Sequence, residues 1–518
     1  MTERVRFTLG GRHVEADAGA SLLAALWNHG ARAVRTSVGG AARGPLCAMG
    51  TCFECCVSVD GEPHVRACLT PVREGMTVAL QTEAPSAGAA GDHRAAALDA
   101  QVVVVGGGPA GLAAAVHAAE AGARTLLVDT NARPGGQIWR HRGEPPRAAL
   151  PWLVRFARSG ASAITGASVV DATGRELLLE DAGGPRPVRF ERIVLASGAR
   201  ELFLPFPGWT LPGVVGVGGA QALLKAGARF RGRRVLVAGS GPLLPAVAAA
   251  LAGDGARIVE VVEQAPRARL AGFAAGLWRT PRKAAEGLAF AVRLAGVPYR
   301  TSAWLQEVEA RDGALRARVG DGRRSWTCDC DVVACGFGLV PNLELPRLLG
   351  CEADDARVAT DALQRTSVSS VFAAGELGGI AGVDHALATG AVAGLAAAGR
   401  EIPAPLARRA ERERAFGIRL ARAFALREEL RRLARPDTLV CRCEDVAMSR
   451  CEGAASIREA KLATRAGMGP CQGRVCGPAL RFLHGWPPDS ARPPLSPTSL
   501  AALMQEPTSS RPPTPARL

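Results

Sequence analysis

The stretch Val102-Val103-Val104-Val105-Gly106-Gly107-Gly108-Pro109-Ala110-Gly111 constrains this chain more than any other. A short, wholly apolar run reads as a strand buried on both faces of a parallel sheet. The glycines after it keep side chains away from the strand end, so a pyrophosphate can lie against backbone amides at the N-terminus of the next helix. That helix is expected over 112–121. A second strand is expected over 124–128, ending at Asp129, an acid placed to accept ribose hydroxyls. The pattern returns about 130 residues later. There 234–238 reads as strand, Gly239-Ser240-Gly241-Pro242-Leu243-Leu244 as turn, 257–262 as the next strand and Glu263 as its acid. Two such openings predict an α/β fold with tandem dinucleotide-binding units. The second fingerprint is the poorer, because Leu244 stands where the third glycine belongs. Glu263 favours NAD over NADP; an empty site or another nucleotide is the alternative.

Eight of the fourteen cysteines form two sets, one on each side of these units. Cys47, Cys52, Cys55 and Cys68 follow the C-x4-C-x2-C pattern of a plant-type [2Fe–2S] centre. Cys441, Cys443, Cys471 and Cys476 form a second candidate quartet, its last two members on a Gly/Pro-flanked loop. Zinc is the rival metal, but the first spacing is not that of a zinc ribbon. Cys56 adjoins Cys55 and reads as the start of the following strand. Cys451 reads as structural. Cys328, Cys330, Cys335 and Cys351 read as small core residues. No paired thiols follow either fingerprint, and 133–140 contains no cysteine, which argues against dithiol–disulfide chemistry. His385 is a candidate base, with packing at a helix start the favoured alternative.

At 518 residues the chain is too long for one core. It opens charged, without the apolar segment of a secretion signal. The uncharged stretches 101–119 and 202–224 are broken by Gly and Pro, so no transmembrane segment is expected. The net charge of +15 is nearly all arginine and scattered. Its one dense region, 408–435, alternates with Glu at helical spacing and reads as a solvated amphipathic helix, not a nucleic-acid surface. Residues 1–82 read as a small α+β unit with Ser21 capping a helix. Residues 83–99 read as an Ala/Gly-rich linker and 487–518 as a disordered Pro/Ser-rich tail.

The central block resembles the two-dinucleotide-domain flavoproteins, the fold of disulfide and ferredoxin reductases. The residues that carry this are VVVVGGGPAGLAAA at 102–115, RPGGQ at 133–137, VLASGAR at 194–200 and VFAAGELGG at 371–379. The resemblance implies FAD, held by Gly106, Gly108, Pro109, Ala110, Gly111 and Asp129. It implies Gln137, Gly198 and Gly375 near the flavin, and Glu376 on the ribityl chain where Asp is commoner. The FAD unit would comprise 100–205 with 314–400, and the second unit 206–313. Residues 1–82, through LCAMGTCFECCVSVDG and RACLTP, resemble the β-grasp ferredoxin-like [2Fe–2S] subunit of multisubunit amine dehydrogenases such as hydrogen cyanide synthase, opine oxidase and D-hydroxyproline dehydrogenase. Residues 436–486, through VCRCEDV and TRAGMGPCQGRVCG, are similar to the small helical bacterioferritin-associated-ferredoxin domain, joined by a helical connector at 401–435. The remainder resembles the FAD subunit of those enzymes and part of the sarcosine oxidase alpha subunit.

Together these imply an FAD- and [2Fe–2S]-dependent oxidoreductase with two clusters, the electron-transfer chain of an amine or imino-acid dehydrogenase. They imply a D-amino-acid-oxidase-like flavoprotein partner, a small amine or imino-acid substrate and a cytoplasmic site, with peripheral membrane association left open. An NAD(P)H-dependent flavin reductase, feeding electrons outward through the clusters, is the alternative reading. A scaffold that uses its clusters structurally is the third.

Overall fold

The computed structural model describes residues 3–80 and 95–505. The first unit is a five-stranded sheet in the order Arg12–Asp17, Arg4–Leu9, Thr77–Leu80, Cys56–Val59, Glu62–Arg66. Its first strand runs parallel to Thr77–Leu80 and the remaining pairs are antiparallel. Helix Leu22–Asn28 lies in the grasp of this sheet, with Leu22, Leu23, Leu26 and Trp27 buried. The Ser21 side chain accepts the Ala24 N–H at 3.2 Å, a cap worth about 1 kcal/mol.

The fingerprint strand is longer than its apolar run suggests. It spans Leu98–Val105 and sits at the centre of a parallel core, between Thr125–Asp129 and Gly184–Leu195. Its polar first half pairs with the far end of Gly184–Leu195, so the strand begins inside the stretch read as linker; 83–94 lie outside the described residues. Strand Val371–Ala373 returns to pair with Gly184–Leu195 and closes the unit. Helix Pro109–Glu120 covers one face and packs against helix Val383–Ala397.

The second unit repeats the plan with the order Val214–Val215, Val332–Gly336, Arg234–Gly239, Arg257–Glu263, Tyr299–Thr301, all parallel. This corrects the boundary read at 313. Val332–Gly336 hydrogen-bonds along the fingerprint strand, and an antiparallel sheet of Trp304–Arg311, Ala314–Gly320 and Ser325–Cys330 leads into it. The second unit therefore extends to Gly336. A two-stranded crossing of Ala199–Glu201 with Leu339–Pro341 marks the return to the unit of strand Leu98–Val105.

Two further expectations change. The Arg/Glu-rich region is not one solvated helix. Helix Ala404–Ala423 buries Ala410, Glu413, Phe416 and Gly417, and the chain then leaves helical geometry because the Phe424 and Ala425 carbonyls are taken by the second fingerprint unit. The tail is packed as far as the described residues go: Leu495 is buried in the core of the unit built on strand Leu98–Val105 and its N–H donates to Val170, while Ser499 caps the short helix Leu500–Leu503. Proline-rich chain docks here through one backbone hydrogen bond, Leu495 to Val170, and through Thr498 and Ser499 donating to Glu180, which composition does not register. Residues 506–518 lie outside the described residues. No described helix is long and apolar enough to cross a membrane.

Candidate redox site

The first fingerprint is built around absent side chains. A Cβ on Gly111 would stand 1.7 Å from the Gly106 carbonyl oxygen, and Gly106 itself turns the chain at φ +108°. Helix and strand end therefore touch backbone to backbone, as a phosphate-binding turn requires. Asp129 is buried. One carboxylate oxygen accepts the Gly107 N–H and the other accepts both the backbone and side-chain N–H of Asn131, each at 2.9 Å. Burial raises its pKa against these donors. Gly135 donates to the Gly107 carbonyl at 2.7 Å, so the RPGGQ loop lies directly on the fingerprint. Helix Pro109–Glu120 begins at Gly108 with Pro109 in its first turn, where its missing N–H costs nothing.

Opposite this turn, Gly375 accommodates φ +69° and presses on Ala110. The Glu376 carboxylate turns back to accept the N–H of Ala381 and of Gly382, at 3.1 and 2.9 Å, and burial pushes it up to about 7. Three residues on, His385 is buried with neither ring nitrogen partnered within the protein. An unsatisfied imidazole beside a backbone cradle that no Cβ could enter fits a polar cofactor lying along this turn. Gly198 has open space where its Cβ would be, and Gln137 is half-buried, on the same side as Lys225. The Lys225 ammonium donates to the carbonyls of Gln137 and Ile138 at 3.0 and 2.8 Å, and burial followed by repulsion from Arg140 lowers its pKa to about 8.

The cysteine loop of the N-terminal unit holds its thiols as pairs. Cys47 and Cys52 lie 3.0 Å apart, Cys55 contacts Cys68, and all four are buried. Burial opposes ionisation of Cys47, but donation from Cys52, Thr51 and the Met49 N–H brings it down to about 5. In the other pair the Cys55 contact lowers Cys68. Among the described residues no group of three or more His, Cys, Asp or Glu side chains is arranged to hold a metal ion. Two buried thiol pairs, each with one member whose pKa is lowered by its partner, suit a two-iron centre in which each iron takes two thiolates. Cys56 is separate: it opens the next strand opposite Arg66, and burial raises it to about 12.

The C-terminal cysteines also meet. Cys441 contacts Cys443 and Cys476, and Cys443 contacts Cys471. The 467–473 loop fits against them because a Cβ on Gly469 would collide with Cys443 at 2.2 Å. Cys451 is buried and bonded to Thr464, near Cys441 but not one of the contacting thiols.

Arginines that spacing did not single out join these parts. Arg140 donates to the Ala48 carbonyl at 2.6 Å, to the Cys68 carbonyl at 2.7 Å and to the Gln137 side chain at 3.4 Å, so one guanidinium ties the N-terminal cysteine loop to the RPGGQ loop. Arg442, between Cys441 and Cys443, reaches Glu54, between Cys52 and Cys55, at 3.3 Å. Half of the N-terminal quartet shares an apolar cluster with the C-terminal one: Leu46, Cys47 and Cys52 lie in it with Cys441, Cys443, Cys471 and Cys476, while Cys55 and Cys68 pack in the core of the N-terminal unit.

The second fingerprint is differently engaged. Glu263 accepts the N–H of Gly241 and Ala265, both at 2.8 Å. Ser240 donates to the Phe424 carbonyl at 3.2 Å, the Gln264 amide to Ser240 at 2.9 Å, and the Arg427 N–H to Gln264 at 3.2 Å. The chain's own connector thus lies across this turn.

Comparison with known proteins agrees with this geometry. Residues 100–390 match the pyridine nucleotide-disulphide oxidoreductase family, and residues 2–83 match a 2Fe-2S iron-sulfur cluster binding domain. The chain is 33% identical over 419 residues to hydrogen cyanide synthase subunit HcnB of Pseudomonas aeruginosa, covering 72% of this chain and 90% of that protein. It is 34% identical over 454 residues to an opine oxidase subunit of Rhizobium meliloti, covering 77% and 97%. The crystal structure of L-proline dehydrogenase from P. horikoshii has the same fold, with a TM-score of 0.71 at 19% identity over 97% of this chain and 98% of that one. The turn at Gly106, the paired thiols of the N-terminal loop and these matches lead to one conclusion: the chain belongs to the pyridine nucleotide-disulphide oxidoreductase family, as an oxidoreductase with an FAD-type core and a 2Fe-2S domain ahead of it.

Proposed function

We propose that this chain is the electron-transfer subunit of an amine or imino-acid dehydrogenase, working in the cytoplasm beside a D-amino-acid-oxidase-like flavoprotein. Gly106, Gly108, Pro109, Ala110, Gly111 and Asp129 hold the ADP half of FAD. Gln137, Gly198, Gly375 and Glu376 line its flavin half. Cys47, Cys52, Cys55 and Cys68 ligate one [2Fe–2S] cluster, and Cys441, Cys443, Cys471 and Cys476 ligate a second. Bound FAD supplies two-electron acceptance with release in single steps, and each cluster supplies one-electron transfer. The protein fixes the distances: Arg140 ties the first cysteine loop to the flavin-side loop, and Arg442 with Glu54 ties that loop to the second. The fingerprint helix N-terminus and its backbone donors offset the pyrophosphate charge. The substrate class follows the relatives, whose names are those of an opine oxidase and a hydrogen cyanide synthase.

The observation that carries the proposal is that two buried cysteine quartets meet, Cys47 and Cys52 sharing an apolar cluster with the C-terminal four and Arg442 bonded to Glu54, beside the fingerprint unit that Arg140 joins to them. The alternative, hydride entry from NAD(P)H, is disfavoured by the connector bonded across Ser240 and Gln264. Iron and flavin analysis with low-temperature EPR of the dithionite-reduced protein tests the proposal. Two distinguishable cluster signals beside bound FAD are expected; a single signal would remove the second cluster.

A further inference from the structure

The contact between the two cysteine loops contains a buried charge group. Glu54 and Arg442 are each 1% exposed at the side chain. Arg442 donates to Glu54 at 3.3 Å and to the Trp209 carbonyl at 2.8 Å. Arg35 donates to the other oxygen of Glu54 at 2.8 Å and to the Arg442 carbonyl at 3.3 Å. Desolvating three charges is costly, and apolar residues of equal volume commonly hold a contact as well or better. Adhesion already has other means: Asp445 accepts from Arg43 at 2.6 Å and from the Gly39 N–H at 2.9 Å, and Trp209 donates to the Leu439 carbonyl at 2.6 Å.

The positions of the charges carry more information. Arg442 is covalently adjacent to both Cys441 and Cys443. Glu54 is adjacent to Cys55 and two residues from Cys52. A positive charge therefore sits in the ligand loop of one quartet and a negative charge in that of the other, in an interior where charges are weakly screened.

We infer that Glu54 and Arg442 are positioning residues that set the difference in reduction potential between the two quartets, so that an electron passes from the N-terminal cluster to the C-terminal one. The inference rests on the two-cluster reading above. The Glu54 carboxylate sits in the N-terminal ligand loop and bears on Cys52, where it disfavours an added electron; it also faces Cys443, but there the guanidinium of Arg442, the residue joined directly to both C-terminal ligands, opposes it. In the step, the first cluster is oxidised by one electron and the second reduced by one, and no proton moves. Arg35 holds the carboxylate in place from the other side.

EPR-monitored redox titration of the full-length holoprotein tests this, with Cys471→Ser used to assign the C-terminal signal. Glu54→Gln keeps the shape and removes the negative charge. It should raise the N-terminal midpoint, favouring reduction about tenfold, which is 59 mV for one electron. Arg442→Gln should lower the C-terminal midpoint by a similar factor, and Arg442→Lys should restore it. In Glu54→Gln the N-terminal midpoint should rise further than the C-terminal one, and in Arg442→Gln the C-terminal one should fall, so the gap narrows in both variants. A purely adhesive role gives no such pair of opposite shifts. Two signals with midpoints unmoved in Glu54→Gln overturn the inference and leave the two-cluster reading standing, even where Arg442→Gln fails to fold. A wild-type protein with one signal overturns both.

Discussion

Replacing Gly111 by alanine probes the fingerprint most sharply. The new methyl carbon would lie 1.7 Å from the Gly106 carbonyl oxygen, whereas ordinary van der Waals contact begins near 3.4 Å. Relief therefore requires the helix or the turn to retreat by about 1.7 Å, the difference between those distances. The helix has nowhere to go. Its other side meets Gly390 and Gly394 so closely that a Cβ there would stand 2.1 and 2.3 Å from the Ala110 and Ala114 carbonyl oxygens. Overpacking of this kind costs about 1–3 kcal/mol, and the upper end applies when backbone, not a flexible side chain, must give. If the turn yields instead, its amides leave the pyrophosphate, and about 3 kcal/mol corresponds to roughly a hundredfold weaker FAD binding. The assay is FAD content by visible absorbance, with the dissociation constant measured by titrating FAD into stripped protein. Gly287→Ala is the control: it lies inside helix Pro281–Arg293 with nothing within 4 Å of a new Cβ, so it should gain about 0.5–1 kcal/mol of stability and leave FAD binding unchanged. Gly111→Ala protein with full FAD affinity and wild-type thermal stability would refute the reasoning.

Arg140→Leu removes two charged hydrogen bonds to the cysteine-loop carbonyls, about 3 kcal/mol at the low end of the range that suits a half-buried group. Hydrogen exchange across 47–68 should accelerate while FAD content holds; unchanged exchange would show that the tether is idle. Cys471→Ser should erase one of two EPR signals, and Cys56→Ser should leave both, because Cys56 lies outside the thiol pairs. His385 is held neutral: burial, with repulsion from Lys283 and Arg414, takes its pKa from 6.5 down to about 4. Between those values the unfolded chain binds the extra proton, so stability falls as pH drops from 6.5 to about 4, by about 3 kcal/mol at ~1.4 kcal/mol per pKa unit. Denaturant midpoints at pH 4.5 and 7 should show this slope in the wild type and a flatter one in His385→Leu. NADH added anaerobically should leave the flavin absorbance intact on a catalytic timescale, given the connector across Ser240; rapid bleaching would reinstate the second site as an electron entry.

The fold is most legible in the sequence where one local pattern does one job. An apolar run, a glycine turn and an acid at the next strand end identify both dinucleotide units, even though Leu244 replaces the third glycine of the second. The N-terminal cysteine loop is legible because ligand spacing is set by the metal centre and not by the surrounding fold. The true end of the second unit escapes a reading that stops near 313, because Val332–Gly336 is apolar like any buried strand and only its long-range pairing shows which sheet it completes. Arg408–Arg435 reads as one helix because its periodicity continues past Ala423, while the break comes from carbonyls captured by Ser240, Gln264 and Arg269 across the fold. Arg140 leaves no signal in so arginine-rich a chain, and Glu54 and Arg442 leave only a faint one. Their roles come from contacts between residues 72 to 388 positions apart. A hint is present for two of them, since each interrupts a cysteine motif with a charge.

The central claim is that one flavin and two clusters share this chain in electronic contact. An anaerobic reductive titration of the full-length protein, followed by visible absorbance and EPR, tests it most directly. Two electrons for FAD and one for each cluster predict uptake of four per chain, with both cluster signals developing in the same sample. Uptake that ends at three, with one cluster signal, would contradict the relay.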